Sequence, residues 1–269
     1  MNKAWKDIIE APVGGRSSKP RIEGLTMIID KGLGLSPTKD MIQTAGEYID
    51  FIKLAFGTSA FYDEKLLREK TAMITAADID VMPGGTFLEV AVWKGVLKGY
   101  LKKAKELGFS AIEVSDGTIE IDNESRKGII RKALDIGFKV ITEVGKKDPA
   151  YVLPLGHVYR LIKEDLETGA FKVIIEAREA GKEVGIFNHQ GNILQQELNN
   201  LIAGVDDINT LIWEAPMKKQ QQELILLFGN NVNLGNIPPD EILALEALRQ
   251  GLRGDTLKNA YEMNKNPRK

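Results

Sequence analysis

The sequence predicts a closed barrel of eight parallel strands, each followed by a helix, which is the (β/α)8 or TIM-barrel fold. The chain has 269 residues, within the range of one such barrel. A short apolar run that ends in glutamate recurs about once per ~30-residue strand–helix unit. Strand-like and helix-like segments also alternate from residue 25 onward, which indicates parallel strands joined by right-handed helical crossovers.

The repeated phrase places a carboxylate at the end of five consecutive strands. Runs of this composition and length are typical of parallel strands that are buried on both faces. A carboxylate is costly there unless it meets cations or hydrogen-bond donors, so the five indicate one polar cluster where the strands end. The phrase is TFLE at 86–89, AIE at 111–113, VITE at 140–143, VIIE at 173–176 and LIWE at 211–214.

Each element has a local justification in the sequence. Ser36 and Pro37 suit the N-cap and first helical position of helix one. Glycine ends the helices before strands four, five and six, at Gly108, Gly137 and Gly169. The strands are predicted at 25–30, 49–55, 86–91, 111–113, 140–143, 171–177, 210–214 and 232–235. Four helices are predicted at 63–77, 94–107, 158–168 and 217–228. The first helix is predicted to begin at 36 and the last at 238, and two others are predicted to end at 137 and at about 203.

This barrel would follow an N-terminal arm at 1–24, would cover 25–257 and would precede a C-terminal tail at 258–269. The alternative fold is an open doubly wound sheet. Such a sheet more often carries a glycine-rich dinucleotide turn, but no GxGxxG follows strand one and no GxxxxGK[ST] occurs anywhere in the chain. The barrel is therefore the better prediction.

Composition excludes several classes of function. Lys and Arg number 36 against 38 Asp and Glu, so no basic excess supports nucleic-acid binding. Cysteine is absent, which excludes disulfides, thiolate zinc sites and cysteine nucleophiles. No uncharged apolar stretch approaches the ~18 residues of a membrane span, and the first twenty residues show no signal peptide. We expect a cytoplasmic protein that binds neither nucleic acid nor membrane.

The site is expected where the strands end, because barrel enzymes place their chemistry at the C-terminal ends of the strands. Side chains alternate along a strand, so Lys147 shares the inward parity of Glu143 and Lys146 does not. The same rule pairs Ser115 with Glu113 and Arg178 with Glu176. Strand one offers either Asp30 or Lys31. Strand eight offers Asn233. The predicted ring contains Glu89, Glu113, Glu143, Glu176, Glu214, Lys53, Lys147 and Arg178.

These residue types favour a hard cation and anionic ligands. Oxygen donors without cysteine, with only two histidines in the chain, suit Mg²⁺ better than zinc or copper. The lysines and arginine would suit a carboxylate or phosphate on a ligand. Each glutamate, and Lys53 or Lys147 taken alone, is explained equally well by a structural ion pair. Segment 248–256, with Arg249 and Arg253, would either bind a phosphate near strand eight or hold the chain end against a neighbour.

Nine phrases in order make the chain resemble a known family, the phosphosulfolactate synthases. The resemblance covers nearly the whole chain after the arm. The phrases are DKGL at 30–33, FGTS at 56–59, PGGT at 83–86, VSDG at 114–117, TEVGKK at 142–147, VIIEAREAG at 173–181, WEAP at 213–216, VNLGN at 232–236 and GLRGDT at 251–256.

The resemblance implies a (β/α)8 barrel that catalyses Mg²⁺-dependent addition of sulfite to phosphoenolpyruvate, giving (2R)-phospho-3-sulfolactate. It is a carbon–sulfur lyase reaction that feeds coenzyme M synthesis in methanogens and sulfolactate formation in some bacteria. The proposed general acid of the family corresponds to Lys147. We assign Mg²⁺ to some of Glu113, Glu143, Glu176 and Glu214, and the substrate anions to Lys31, Lys53, Arg178 and Arg253, with Ser115 and Asn233 as further substrate-binding candidates.

We also expect the protein to form a homo-oligomer. Three other functions stay open from the sequence: a Schiff-base aldolase that uses a barrel lysine, another phosphoenolpyruvate-using barrel enzyme, and a non-catalytic, stress-associated homologue.

Overall fold

The computed structural model describes residues 3–5, 7–148, 150–151, 153–177 and 180–265. Eight parallel strands form one sheet, with hydrogen-bonded order β3-β2-β1-β8-β7-β6-β5-β4. The strands are β1 Thr26–Asp30, β2 Phe51–Leu54, β3 Asp80–Pro83, β4 Ala111–Val114, β5 Lys139–Val144, β6 Lys172–Ile175, β7 Leu211–Glu214 and β8 Leu234–Ile237.

The sheet curls into a nearly closed barrel, which confirms the predicted fold. The two strands at the ends of the hydrogen-bonded order, β3 and β4, lie next to each other. Their gap is bridged where the Ser110 amide donates to the Val81 carbonyl at 3.1 Å and the Val81 amide donates to Ser110 Oγ at 3.0 Å. The ladder does not continue because β3 ends at Pro83 and the chain turns at once into a helix.

Helices surround the barrel. Within the described part of the chain, β3 and β8 are each followed by two α-helices, so the helix count exceeds the eight that strict alternation predicts. The helices are α1 Leu35–Ala45, α2 Glu64–Thr75, α3 Gly85–Trp93, α4 Leu97–Glu106, α5 Asn123–Asp135, α6 Leu155–Thr168, α7 Gln195–Ile202, α8 Lys218–Phe228, α9 Ile242–Arg249 and α10 Gly254–Lys265. Short 3₁₀ helices cover Gly46–Tyr48, Thr58–Phe61, Ile208–Thr210 and Pro239–Glu241.

The prediction for strand three was wrong. Residues 86–91 lie within α3, and the strand is the preceding Asp80–Pro83. A short apolar run does not by itself distinguish a buried strand from a buried helix segment. Here Gly84 takes an extended N-cap conformation after the proline, and the run continues as a helix that packs against β4. Glu89 is therefore a helix residue.

Three other predicted features can be compared with the structure. The glycines Gly108, Gly137 and Gly169 have φ of 86°, 85° and 113°, which confirms the left-handed helix ends. Strand eight lies two residues later than predicted. Helix α10 crosses the boundary that we placed between barrel and tail, and Ala260 in it is buried.

The strands divide their side chains between two apolar layers. The layer inside the barrel includes Phe51, Ala111, Ile141, Ile174 and Ile212, and the other layer packs between strands and helices. Alternation then directs the residue two positions after each of these to the inside as well. Those residues are Lys53, Glu113, Glu143, Glu176 and Glu214, at the C-terminal mouth. No helix among the described residues is long and apolar enough to cross a membrane.

Candidate active site

Lys53 occupies the centre of a buried carboxylate cluster. Its ammonium lies 3.0 Å from Glu214 Oε1, 3.2 Å from Glu113 Oε2 and 3.8 Å from Glu143 Oε2. The three acids come from β7, β4 and β5, so one lysine of β2 connects four strands of the barrel. Each of these side chains is at least nine-tenths buried, where unpaired charges would be very costly.

Lys147 forms a second bridge in the same cluster. Its Nζ lies 2.6 Å from Glu143 Oε1 and 2.9 Å from Glu176 Oε2, and its side chain keeps 28% of its surface exposed. Lys147 thus combines buried acidic partners with access to the cavity. The adjacent Lys146 points elsewhere and binds the backbone oxygen and carboxylate of Asp116 at 2.6 and 3.1 Å.

Gly145 allows the two neighbouring lysines to separate in this way. Its φ is +137°, and an added Cβ would lie 2.5 Å from Glu176 Cβ. Any other residue would therefore clash with the glutamate as well as adopt a disfavoured backbone conformation. The turn returns Lys147 to Glu143, four residues earlier, as the inward parity predicts.

Gly85 makes a similar close approach at the start of α3. An added Cβ would lie 2.5 Å from Ser115 Cβ and 2.7 Å from Glu113 Oε1. Because the side chain is absent, the Gly85 amide can donate to Glu113 Oε1 at 2.9 Å. Glu113 is thereby bonded by a helix N-terminus on one side and Lys53 on the other.

Ser115 and Glu89 organise the edge of the cluster. Ser115 Oγ lies 2.9 Å from Glu143 Oε1 and 3.1 Å from Glu89 Oε1, so its single proton serves one of the two acids at a time. Glu89 also accepts from the amides of Thr118 and Ile119, at 2.8 and 2.7 Å. Glu89 therefore holds the loop after β4 in place.

The pKa values of the acids diverge within the cluster. Burial raises the pKa of Glu176 to about 10, reinforced by the nearby Glu143 and Glu214 and opposed by Lys147. Burial also raises the pKa of Glu113 to about 7, with Lys53 opposing. For Glu143 burial acts upward too, but Lys147 and Lys53 outweigh it and hold its pKa below the usual range. The carboxylates therefore do not all ionise together at neutral pH.

Both lysines are held protonated. Burial acts to lower the pKa of Lys53, yet Glu113 and Glu214 more than compensate and raise it. The pKa of Lys147 is likewise raised, because Glu143 and Glu176 outweigh the effect of its burial. Among the described residues of the cluster, four carboxylates thus face only two ammonium groups.

This imbalance is what a divalent cation would neutralise. Oxygen atoms of Glu143, Glu176 and Glu214 lie within 4.8 Å of one another, all three acids are buried, and they could hold a metal ion. Three carboxylates without nitrogen or sulfur ligands form a donor set typical of hard cations such as Mg²⁺. The residues that are present therefore fit the predicted ion.

The cluster forms the floor of a cavity of about 260 Å³ at the mouth of the barrel. Its outer wall includes Phe56, Thr86 and Thr118, and the start of α3 closes one side. The cavity is lined by Ile29, Lys53, Ala55, Phe56, Gly84, Gly85, Thr86, Glu113, Thr118, Glu143, Lys147, Glu176, Glu214 and Asn236. It offers a small, charged pocket rather than an apolar one.

Strand one supplies a cation at the rim. Lys31 is exposed, and its Nζ lies 5.8 Å from the centre of the Phe56 ring, which itself lines the cavity. Asp30 is instead fully buried and pairs with Lys70 of α2 at 2.5 Å. Of the two alternatives on this strand, the structure brings Lys31 to the rim.

Three other candidates do not join the cluster. Asn233 lies at the opposite end of the strands, where its amide donates to the Asn209 and Leu211 carbonyls and accepts from the Leu25 amide. Arg253 does not line the cavity and pairs with Asp255 at 3.5 Å. Arg178 lies outside the described residues.

Sequence reasoning missed the cavity residues Phe56, Thr86, Thr118 and Asn236. Asn236 carried a usable signal, since it lies in the VNLGN phrase together with Asn233. Because strand eight was predicted two residues too early, Asn233 was named as the site residue instead of Asn236. Phe56 and Thr86 carried the same kind of signal, since they lie in the FGTS and PGGT phrases, whereas Thr118 lies in none of the nine phrases.

Comparison with known proteins shows the family of this chain. A model of the (2R)-phospho-3-sulfolactate synthase (ComA) family matches residues 14–255. The chain belongs to the (2R)-phospho-3-sulfolactate synthase family. Phosphosulfolactate synthase from Methanothermobacter thermautotrophicus is 44% identical over 244 residues, which are 90% of this chain and 94% of that protein. The enzyme of the same name from Methanocaldococcus jannaschii is 47% identical over 235 residues, 87% and 93% of the two chains.

More distant similarities extend beyond the phosphosulfolactate synthases. Protein HEAT-STRESS-ASSOCIATED 32 from Arabidopsis thaliana is 22% identical, and the match covers 91% of each chain. Among solved structures, 3-hexulose-6-phosphate synthase from Salmonella typhimurium superimposes with a TM-score of 0.54 at 12% identity, over 85% of this chain and 100% of that one. At that identity the likeness supports the barrel fold alone.

Proposed function

We propose that this protein is an active phosphosulfolactate synthase, a carbon–sulfur lyase that adds sulfite to phosphoenolpyruvate in a Mg²⁺-dependent reaction giving (2R)-phospho-3-sulfolactate. The observation that carries the proposal is Lys147. It is the partly exposed cation of a buried acidic cluster, in a chain of that family. Its ammonium faces the cavity in which two small anions would meet.

The bond changes are those of a conjugate addition. The sulfite sulfur attacks the methylene carbon of phosphoenolpyruvate and forms the new C–S bond. The electron pair of the double bond moves toward the substrate carboxylate, and the carbon that bears the phosphate then takes up a proton. One proton is consumed, and no oxidant or reductant is needed.

Lys147 supplies that proton in this proposal. Its pKa is raised by Glu143 and Glu176, so the ammonium is loaded before substrate binds. Delivery from one wall of the cavity would fix the configuration at the protonated carbon. The ammonium would then regain its proton from solvent, to which the side chain keeps access.

Mg²⁺ would be held by Glu143, Glu176 and Glu214. When bound there it would stabilise the negative charge that develops on the substrate carboxylate. Lys53 keeps Glu214 and Glu113 oriented from below, at 3.0 and 3.2 Å. The charge balance of the cluster supports this assignment, because four carboxylates share two ammonium groups among the described residues.

The raised lysine pKa values argue against a Schiff-base aldolase. A Schiff base requires a neutral amine, and lysines that form one have lowered pKa values. Lys53 and Lys147 are both shifted in the opposite direction. A non-catalytic role is disfavoured by the acidic cluster, which is costly to keep buried without a ligand.

The direct test is an assay for phosphosulfolactate with sulfite and phosphoenolpyruvate as substrates. We expect product formation that requires both substrates, that stops on chelation of divalent cations and that returns with added Mg²⁺. A metal-loaded, folded protein that forms no product would contradict the proposal. Self-association into a homo-oligomer stays a prediction, which light scattering of the purified protein would test.

A further inference from the structure

Asn236 is a buried polar residue that the reaction described above does not use. It lies near the C-terminal end of β8, lines the cavity and is only 2% exposed. Its Oδ1 is buried and has no hydrogen-bond partner among the residues that the structure describes. A buried polar atom without a partner costs about 1–3 kcal/mol, so one that lines a cavity calls for an explanation such as a bound ligand.

The backbone of Asn236 is strained as well. Its φ is +54°, in the left-handed region that non-glycine residues rarely adopt. Other non-glycine residues with positive φ in the described chain are Phe56, Asp78 and Glu183, all exposed. Asn236 alone among them combines this conformation with a buried side chain, and residues held in strained conformations cluster at ligand sites.

Asn236 is a neutral polar residue in a cavity lining whose described cations, Lys53 and Lys147, are both paired with carboxylates. Its strand β8 pairs with β7, which carries Glu214, and with β1. The ammonium of Lys53 is already engaged by Glu214 and Glu113, at 3.0 and 3.2 Å. An anionic substrate on this side would therefore need a neutral donor. Barrels of this type frequently bind phosphate near strands seven and eight.

We propose that the Asn236 side-chain amide donates a hydrogen bond to the phosphate of bound phosphoenolpyruvate. This inference rests on the proposed function. A half-turn about the Cβ–Cγ bond exchanges the amide oxygen and nitrogen with little change in shape, so the NH₂ group can face the ligand. The phosphate is thereby fixed beside β8, with the reacting carbons directed toward Lys147 across the cavity.

The sharpest test replaces Asn236 by glycine. Glycine removes the amide but accepts the left-handed backbone, so N236G should fold with equal or higher Tm. Loss of a hydrogen bond to a charged group should weaken phosphoenolpyruvate binding about 10-fold or more. Titration calorimetry with phosphoenolpyruvate and Mg²⁺, without sulfite, measures this directly. The KM for phosphoenolpyruvate should rise by the same factor, with the KM for sulfite unchanged.

The chain offers a matched control. Asp78 has the same φ of +54°, is exposed and is absent from the cavity lining. D78G should therefore keep wild-type affinity for phosphoenolpyruvate. Wild-type affinity in N236G would show that Asn236 serves only the backbone turn and would overturn the inference.

Asn236→Asp separates a donor from a metal ligand. Aspartate keeps an oxygen at this position and loses the NH₂ group, so a donor role predicts that N236D binds phosphoenolpyruvate more weakly than N236G. If N236D instead binds Mg²⁺ and phosphoenolpyruvate as tightly as the wild type, the oxygen is a metal ligand and the inference is wrong. A wild-type protein that binds phosphoenolpyruvate but forms no product would refute the proposed reaction alone. A wild type that does not bind it would refute both.

Discussion

Two buried ionic clusters in this molecule differ in charge balance. The mouth cluster contains Glu113, Glu143, Glu176 and Glu214 with Lys53 and Lys147. The second, here called the Arg126 network, lies against the outside of the same strands and contains Arg126, Lys146, Asp116 and Asp165. Its two cations meet two carboxylates: Arg126 bonds Asp165 at 2.6 to 3.1 Å and Asp116 at 3.0 Å, and Lys146 bonds Asp116 at 3.1 Å.

The Arg126 network is complete without a ligand. Arg126 also donates to the Glu143 carbonyl at 3.0 Å, so the network fastens α5 and α6 to the end of β5. Its charges cancel. The mouth cluster has an excess of acid. Burial, together with the nearby Glu143 and Glu214, raises the pKa of Glu176 in this cluster.

This difference in charge balance distinguishes buried charges that only stabilise the fold from buried charges that are suited to bind a ligand. A balanced and hydrogen-bonded network is compatible with a purely structural role. An unbalanced one stores unfavourable free energy that a bound cation releases. The two clusters meet at β5, where Glu143 contributes its carboxylate to one and its carbonyl to the other. The Arg126 network therefore holds the backbone of a residue whose side chain belongs to the mouth cluster.

The largest expected effect separates the adjacent lysines of the two clusters. Lys147→Met should lower kcat at least about 10³-fold, because the proposed general acid is lost, while phosphoenolpyruvate binding persists. Lys146→Met should retain most of the activity, since Lys146 contacts Asp116 and not the cavity. Steady-state kinetics and calorimetry on both variants measure the contrast. Equal losses in the two would remove the distinction between the clusters.

The next largest effect concerns the free energy of unfolding, which we expect to change in opposite directions when an acid is neutralised in one cluster or in the other. Asp165→Asn leaves buried Arg126 without its main partner and should destabilise the protein by about 3–5 kcal/mol. Glu176→Gln removes an acid from the cluster that has an excess, so the metal-free variant should be as stable as the wild type or more so. Denaturant unfolding in the presence of a chelator tests both. A loss of similar size in Glu176→Gln would show that the mouth cluster is not strained.

Sequence reasoning predicted the inward carboxylates because side-chain alternation is a local property. Once a strand is assigned, the direction of Glu113 or Glu143 follows from its position, and the structure places both inside. Lys147 followed from the same rule even beyond Gly145. The barrel itself required only the recurrence of strand and helix patterns.

Other features depended on contacts that a local pattern does not contain. The partner of Asp30 is Lys70 on a neighbouring helix, 40 positions later in the chain. The charge excess of the mouth depends on which residues meet across strands, and therefore on register. Strand eight shows that a small error in the bounds of a strand can change which residue is assigned to the site. Strand eight was predicted two residues too early. Asn233, at the opposite end of the strand, was therefore chosen as a site residue instead of Asn236 at the mouth.

Proton release on metal binding gives a smaller, graded effect. The pKa of Glu176 is raised to about 10 in the metal-free protein, and a carboxylate must be ionised to bind Mg²⁺. The apparent Mg²⁺ affinity should therefore rise with pH, by up to about tenfold per unit below that pKa. Calorimetry in buffers of different ionisation enthalpy should detect close to one released proton. An affinity independent of pH between 7 and 9 would contradict the raised pKa.

The same proton makes the metal-free fold depend on pH. The folded state binds it more tightly than the unfolded chain, whose carboxyl pKa is near 4.5. Its contribution to stability is therefore fully present below that value and decreases as the pH rises toward 10. Saturating Mg²⁺ should remove the part of this dependence that comes from Glu176, and so should Glu176→Gln, in which the raised pKa of Glu113 still contributes. The Arg126 network, left intact in both cases, serves as the internal reference.

The smallest effect concerns a cation that belongs to neither cluster. Lys31 is exposed at the rim and is associated with the Phe56 ring at 5.8 Å. Because solvent screens its charge, Lys31→Ala should raise the KM for phosphoenolpyruvate only about 2–5-fold, leave kcat unchanged and lose its effect at high salt. Steady-state kinetics across ionic strength measures this. A loss of kcat like that of Lys147→Met would show that Lys31 takes part in the chemical step. The contrast drawn here between buried and exposed cations would then be wrong.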